Sequence, residues 1–432
     1  MADAVIASPR IPLQEYGPPV VCEAVGLDLH ALAEANKRWS KALGLSGDPI
    51  RVEDIGNGFV KLRAEAVTGV IRVGNTDIEI APKFLSAIDR GWQSVLWRIL
   101  TVVEGGYVDD ALTTAHEIDS LSMPDLLAEI FLASYGKGAV RGLPRTYLTE
   151  QASGTMLRGS LDPSRFGQWM ARPWELPYVS DLLTDDTQLA RLLRWTAECL
   201  AATVKAPGRA RAVREVSAGL AHVGRKPPHL LDAQRISLGI QHQGLEAARV
   251  VGLLLLEGAG VHHANGDHAL SGFLWNSDVI YENYIYWLCQ RAASRCSSRV
   301  NKGAIKFGEV IAGEGSKLET TPDVVFRNAQ GTPVAVTDSK YKRVGSRPKA
   351  SDSYQVLTAG HVLGCHRVSL TYPVAYDREP TVWRVQSALG GSDIELTALP
   401  LNLMDLTLPE GQGRLIDSVV AWLEREPFAH NF

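Results

Sequence analysis

The spacing of apolar residues changes period twice along this chain, and that change limits the folds open to it. Between residues 20 and 90 the period is two. Phe59-Val60-Lys61-Leu62 and Val70-Ile71-Arg72-Val73 alternate, Gly74-Asn75 supplies a turn, and Asp77-Ile78-Glu79-Ile80 continues until Pro82 stops it. One helix, over about 29–43, interrupts these strands. From Trp92 the period becomes helical: Val95, Leu96, Ile99, Leu100 and Val103, then Leu126, Leu127, Ile130 and Phe131, then Leu189, Leu192, Leu193 and Thr196. Asp185-Asp186 suits the start of the last of these helices, which ends before Pro207-Gly208. A strand-like insert is expected over 154–161. After Gly272 the pattern is mixed. A helix is expected from Ser277-Asp278 to about Cys296, strands at 305–311, 323–327, 334–338, 368–374 and 382–385, a helix at 353–363 and a last helix at 414–426. The expected fold is multidomain α+β: a β-rich module over 1–90 able to bind a partner, a mainly helical middle domain over 91–271, and an α/β domain over 272–432.

Bulk properties exclude several classes. The 432 residues are enough for two or three domains, and 45% apolar with 21% charged residues is ordinary globular composition. Net charge is -4, so contact with nucleic acid has to come from local basic patches. Five cysteines without a C-x-x-C pair predict free thiols in a reducing compartment. The early acid and prolines of MADAVIASPRIPLQEYGPP leave no apolar run for a secretory leader, and Val250–Leu256 is far too short to span a bilayer. A cytoplasmic protein without membrane contact is expected. No G-x-x-x-x-G-K-[ST] loop occurs, so the chain carries no P-loop for a nucleotide.

The segment from Thr321 to Tyr341 carries the chemistry. Two apolar strands, Asp323–Arg327 and Val334–Asp338, flank a polar loop containing Gly331, a hairpin signal. A near-symmetric loop sets Asp323 across from Asp338. Facing carboxylates repel, and a divalent cation between them relieves that; hard oxygen ligands suit Mg²⁺. Lys340, two residues after Asp338, shares its face and can hold an attacking water and offset phosphate charge. These are the parts of metal-assisted phosphodiester hydrolysis. Acid-x-Lys alone is weak, since about two such triplets arise by chance in a chain of this length. Here there is one, at the end of an apolar strand, and the alternative is a hairpin with its acids at solvated ends.

Neighbouring residues add to this reading. Glu282 borders the helical stripe Tyr281, Tyr284, Ile285, Leu288 and Ala292, either as a third metal ligand or as a rim glutamate. Gln355 lies in the helix opened by Asp352. Lys342, Arg343, Arg347 and Lys349 follow with no acid between Ser339 and Ser351, which suits a DNA backbone or a solvated loop. His262, His263 and His268 read as a turn rather than a metal site. Arg209, Arg211, Arg214 and Arg225 read as a linker or as a contact with DNA or a partner.

Pro322-Asp323 with Asp338-Ser339-Lys340, Glu282 on the preceding helix and Gln355 on the following one, resembles the PD-(D/E)-x-K nuclease superfamily, and within it the McrC family. Gly69-Val70-Ile71-Arg72-Val73, Ile78-Glu79-Ile80-Ala81-Pro82-Lys83, Gly142-Leu143-Pro144-Arg145-Thr146-Tyr147, Leu157-Arg158-Gly159, Lys340-Tyr341-Lys342 and Leu370-Thr371-Tyr372-Pro373 extend the resemblance over most of the chain. It implies an endonuclease subunit of a McrBC-type modification-dependent restriction (antiviral defence) system. Asp323, Asp338 and Glu282 would bind Mg²⁺, with Mn²⁺ as a substitute, Lys340 would position water and Gln355 would orient the site. It also implies a hexameric AAA+ GTPase partner of McrB type and modified double-stranded DNA as substrate. Ala359 stands where related nucleases often carry a tyrosine, and Glu309 or Glu319 can replace Glu282. A stand-alone repair or recombination nuclease and a non-catalytic adaptor of a motor ring are the alternatives.

Overall fold

The computed structural model describes residues 10–74, 76–85, 91–103, 122–204, 206–257, 270–308, 318–343, 345–386, 393–408 and 410–425. The chain forms two compact units, one of residues 1–126 with 257–432 and the other of residues 127–256.

In chain order the strands of the N-terminal part are β1 (Arg10–Gln14), β2 (Val20–Glu23), β3 (Ile50–Gly56), β4 (Phe59–Ala64), β5 (Val67–Val73) and β6 (Thr76–Ala81). Between β2 and β3 runs the helix Leu29–Ala42, capped by the Asp28 carboxylate, which accepts from the Ala31 N–H at 2.9 Å. It buries Ala31, Leu32, Ala35 and Trp39, one stripe at helical spacing. Asn36 falls on the same stripe and is satisfied there by donating to the Ile50 carbonyl at 2.7 Å. The second unit contributes β7 (Thr146–Gly154), β8 (Ser160–Leu161) and β9 (Leu176–Thr184). The first resumes with β10 (Leu270–Asn276), β11 (Arg299–Asn301), β12 (Ile305–Gly308), β13 (Leu318–Thr320), β14 (Val324–Arg327), β15 (Pro333–Ser339), β16 (Arg367–Val374), β17 (Thr381–Val385) and β18 (Ile394–Asn402). The helices Ser277–Arg295, Ala350–Leu363 and Gly411–Glu424 fall where the periodicity predicts them, with ends shifted by a few residues.

The first unit holds two main sheets. One has the order β1-β6-β5-β10, with β1 parallel to β6 and β10 antiparallel to β5. Its close β5–β10 contact depends on Gly69, at φ 138°, where a Cβ would lie 2.0 Å from the Phe273 carbonyl oxygen. The expected boundary at 271/272 falls inside β10, which pairs with β5 of the N-terminal strands. The physical reason is β5 itself: nearly every residue in it is buried, so its second edge needs a strand, and among the described residues β10 supplies it.

The larger sheet has the order β11-β14-β15-β16-β18-β17. Its centre, β15-β16-β18, is parallel and both flanks are antiparallel. Val336, Val368, Leu370, Tyr372, Leu396 and Ala398 pack with Val356 and Ala359 of the helix Ala350–Leu363. Side chains alternate along a strand, so Thr337 and Phe326 point to the other face. There Phe326 meets Trp422 of the last helix with ring centroids 5.8 Å apart.

In the second unit β7 and β9 pair over nine residues, with β8 beside β9. The middle region is thus less helical than its periodicity predicts. Tyr147 lies opposite Leu183 and Leu148 opposite Leu182, on alternate faces of the ribbon. All four are exposed, Tyr147 at 71% and Leu148 at 55%.

Candidate active site

β14 and β15 bring the two acids together as the hairpin predicts. Val324 pairs with Thr337 and Val325 with Val336, which carries Asp323 into register with Asp338. Asp323 Oδ2 accepts from the Ser339 N–H at 2.6 Å and also from the Ser339 hydroxyl. Asp338 is 1% exposed, and its Oδ2 is held by the Lys340 ammonium. Burial foremost, then the charge of Asp323, pushes the Asp338 carboxyl up to about 6, against the opposing pull of Lys340.

Lys340 is fixed from two sides. Its backbone N–H donates to the Thr371 carbonyl at 2.8 Å, and its Nζ donates to Gln355 Oε1 at 3.2 Å. Asp323, Asp338, Lys340 and Gln355 therefore share one surface at the end of β15, on the face covered by the helix Ala350–Leu363. Glu282 does not join them. Its neighbour Tyr281 packs beside Thr371, which points to the opposite face, and the Glu282 carboxylate is ion-paired with Lys302. Glu319 is exposed on β13, while Glu309 and the histidines 262, 263 and 268 lie outside the described residues.

Lys342, Arg343, Arg347 and Lys349 do converge. They line one cleft of about 350 Å³, joined by Arg378 and Trp383. Lys342 donates to both carboxylate oxygens of Asp352 at 3.0 Å, so its charge is largely spent within the protein. Asp352 and Tyr372 are site neighbours that sequence reasoning passed over. Burial, then the nearby Asp352 and Asp338, push the Tyr372 phenol up to about 12. Register could have found Tyr372, since it stands two residues beyond Leu370, the partner of Asp338. The basic stretch of the second unit is paired internally, with Arg209 bonded to Glu129 at 2.7 Å and Arg211 to Glu215 at 2.9 Å.

No group of three metal-ligating side chains occurs among the described residues. Mg²⁺ does not require one, because it commonly takes one or two carboxylates and completes its shell with water and phosphate oxygens. The donor set therefore fits: two hard oxygen ligands in register, with the Asp338 carboxyl pushed upward by burial first and by the charge of Asp323 second. Neither acid of the pair is joined by a cysteine or histidine among the described residues, as zinc-type ligation would require.

The class these features define is a mixed α/β protein with an Asp-Asp-Lys-Gln array at the end of a mixed sheet with a parallel centre. The fold is similar to that of a chain in the refined half-complex from the tetradecameric assembly of Thermococcus gammatolerans McrB AAA+ hexamers with bound McrC. Identity is 16% and the TM-score 0.62, covering 95% of this chain and 99% of that one. A chain of the cryo-EM structure of the Thermococcus gammatolerans McrBC complex also matches, at 16% identity and TM-score 0.47 over 66% of this chain and 88% of that one. No curated protein matches significantly. The family model for the McrBC 5-methylcytosine restriction system component matches residues 62–373. The chain belongs to that McrBC family. Among the described residues no helix is long and apolar enough to cross a membrane.

Proposed function

We propose that this chain is the McrC-like nuclease subunit of a McrBC-type restriction system, cutting double-stranded DNA by Mg²⁺-dependent phosphodiester hydrolysis in a PD-(D/E)-x-K domain. The observation that carries the reading is the Asp338–Lys340–Gln355 array, with Asp323 locked beside it through Ser339. A purely adaptor role has no use for a buried carboxylate held near a second one. Membership of a restriction family favours restriction over stand-alone repair.

Asp323 and Asp338 would hold Mg²⁺, or Mn²⁺ in its place. When bound, the ion neutralises phosphate charge and makes a bound water more acidic. Lys340, steadied by Gln355, holds the attacking water and offsets charge on the scissile phosphate. Arg343, Arg347 and Lys349, on the basic cleft, hold the flanking backbone. Asp338→Asn removes one ligand charge at constant shape. It should abolish cleavage of methylated plasmid DNA, and cleavage at the wild-type rate would remove this site from the mechanism.

The solved complex with a similar fold is named for McrB hexamers with bound McrC, and we assign this chain a McrB-type AAA+ GTPase ring as partner. The β7–β9 ribbon supports that assignment. A small sheet with apolar side chains exposed on both faces has no core of its own and gains stability from a partner. Residues 1–90, the surface expected for this contact from sequence, instead spend much of their apolar area on β10 and the first unit's core. Leu148→Asp with Leu182→Asp should prevent assembly with the ring, and unchanged assembly would move the contact elsewhere.

A further inference from the structure

The residue that follows Lys340 is tied to the far end of the sequence. Tyr341 is buried, and its hydroxyl donates to Glu15 Oε2 at 2.6 Å, across 326 residues of chain. Glu15 follows β1 and is 1% exposed. Its backbone N–H donates to the Ala81 carbonyl at 2.9 Å, and its Oε2 also accepts from the Lys83 N–H at 3.2 Å. Glu15 Oε1 is buried without a hydrogen bond.

The Lys83 ammonium lies 3.7 Å from the centre of the Tyr341 ring and 3.7 Å from Asp278 Oδ1. Phe84 meets the same ring edge-on at 5.8 Å and Tyr281 packs at 5.5 Å. Arg343 donates to the Lys83 carbonyl at 3.4 Å, so the chain is pinned on both sides of Lys342. Between these anchors the backbone turns tightly, the Lys342 N–H donating to the Lys340 carbonyl at 2.7 Å.

A buried carboxylate with an unsatisfied oxygen is costly, and nothing in the hydrolytic site touches it. What it holds is the Tyr341 hydroxyl, together with the Lys83 N–H just past the end of β6. Tyr341 in turn fixes the turn that leaves β15, and that turn sets where the Lys340 ammonium points.

We propose that Glu15, Lys83 and Tyr341 are positioning residues for Lys340: the N-terminal strands hold the lysine in line with Asp338 and Gln355 through the Glu15–Tyr341 hydrogen bond. The inference rests on the nuclease reading above. It makes the β1 and β6 ends part of the catalytic apparatus without direct contact with DNA or metal.

The test uses the full-length chain with its McrB-type partner, GTP, Mg²⁺ and methylated plasmid DNA. Tyr341→Phe keeps the ring and its packing but removes the hydroxyl. Glu15→Ala removes the acceptor, and Glu15→Gln restores one. Both Tyr341→Phe and Glu15→Ala should lower kcat for cleavage by about tenfold with little change in KM for DNA. GTPase stimulation and Tm should stay near wild type in Tyr341→Phe. Glu15→Gln should recover most of the rate, and the double variant Glu15→Ala/Tyr341→Phe should be no slower than the slower single one, because both remove the same bond. Unchanged cleavage in Tyr341→Phe and Glu15→Ala overturns the proposal. So do losses that add in the double variant and follow Tm, because those mark a pair that serves stability alone. A wild-type complex that hydrolyses GTP but leaves the DNA intact instead overturns the nuclease reading, and this inference with it.

Discussion

Asp323 accepts a 2.6 Å hydrogen bond from the backbone N–H of Ser339, the residue directly after Asp338. The bond fixes one acid to the strand that bears the other, so the two cannot separate without breaking β15. Burial first, and the charge of Asp323 second, push the Asp338 carboxyl upward in the folded chain. Lys340 offsets part of that push, and a divalent cation bound between the acids would offset more.

Mg²⁺ should therefore stabilise the wild-type protein. Thermal unfolding with and without Mg²⁺, at neutral pH, is expected to show a rise in Tm that follows site occupancy. Asp338→Asn should lose that rise and should be more stable than wild type without metal, because an amide relieves both burial of charge and repulsion. A Mg²⁺ response unchanged in Asp338→Asn would place the metal elsewhere.

The basic cleft should act through phosphate charge and carry no sequence preference. Arg347→Ala and Lys349→Ala are each expected to reduce the slope of log K against log salt for DNA binding by about 1. Lys342→Ala should change it less, because Asp352 already holds that ammonium with both carboxylate oxygens. Titrations at several salt concentrations distinguish the three; equal slopes in all would detach the cleft from DNA.

Glu15 gives the fold a dependence on pH. Burial, opposed by Lys83, Tyr341 and the Lys83 N–H and assisted by Asp278, raises its carboxyl from 4.5 to about 7. Below about pH 4.5 the group is protonated in folded and unfolded chains alike, and it costs nothing. As pH climbs toward 7 the unfolded chain loses the proton first, so stability falls through this window and the full penalty stands above it. The shift bounds that penalty at about 3 kcal/mol. In Glu15→Gln the fall should be absent, so its Tm should drop less than that of wild type between pH 5 and pH 8, by roughly 3 °C. Parallel pH profiles for the two proteins would contradict it.

Much of the candidate site's geometry is legible in the sequence because it is local. Asp323, Asp338 and Lys340 lie on one hairpin, where period-two alternation and a short loop fix faces and register, and Gln355 sits on the next helix. Glu282 was harder to place, because its helix packs over the sheet by its apolar stripe and the stripe does not say which face it covers. Strand β18 escaped notice since Pro400 lacks the N–H that a central strand normally donates, yet it runs between β16 and β17. The Glu15–Tyr341 bond was invisible for a different reason: no local pattern links residues so far apart, and the pairing arises only when β10 closes the N-terminal sheet. The strand-like pattern at 154–161 marks only the end of β7 and β8, and β9 lies beyond it, because the ribbon's apolar residues pair across strands and not along one.

The central claim is that Lys340 acts at the scissile phosphate and nowhere else. The most direct measurement compares wild type and Lys340→Ala, each assembled with the McrB-type ring, in paired assays of DNA cleavage and GTP hydrolysis. Cleavage is expected to fall by at least about 100-fold, with GTP hydrolysis stimulated as in wild type. A variant that cuts DNA at the wild-type rate, or one that loses GTPase stimulation along with cleavage, would contradict the account.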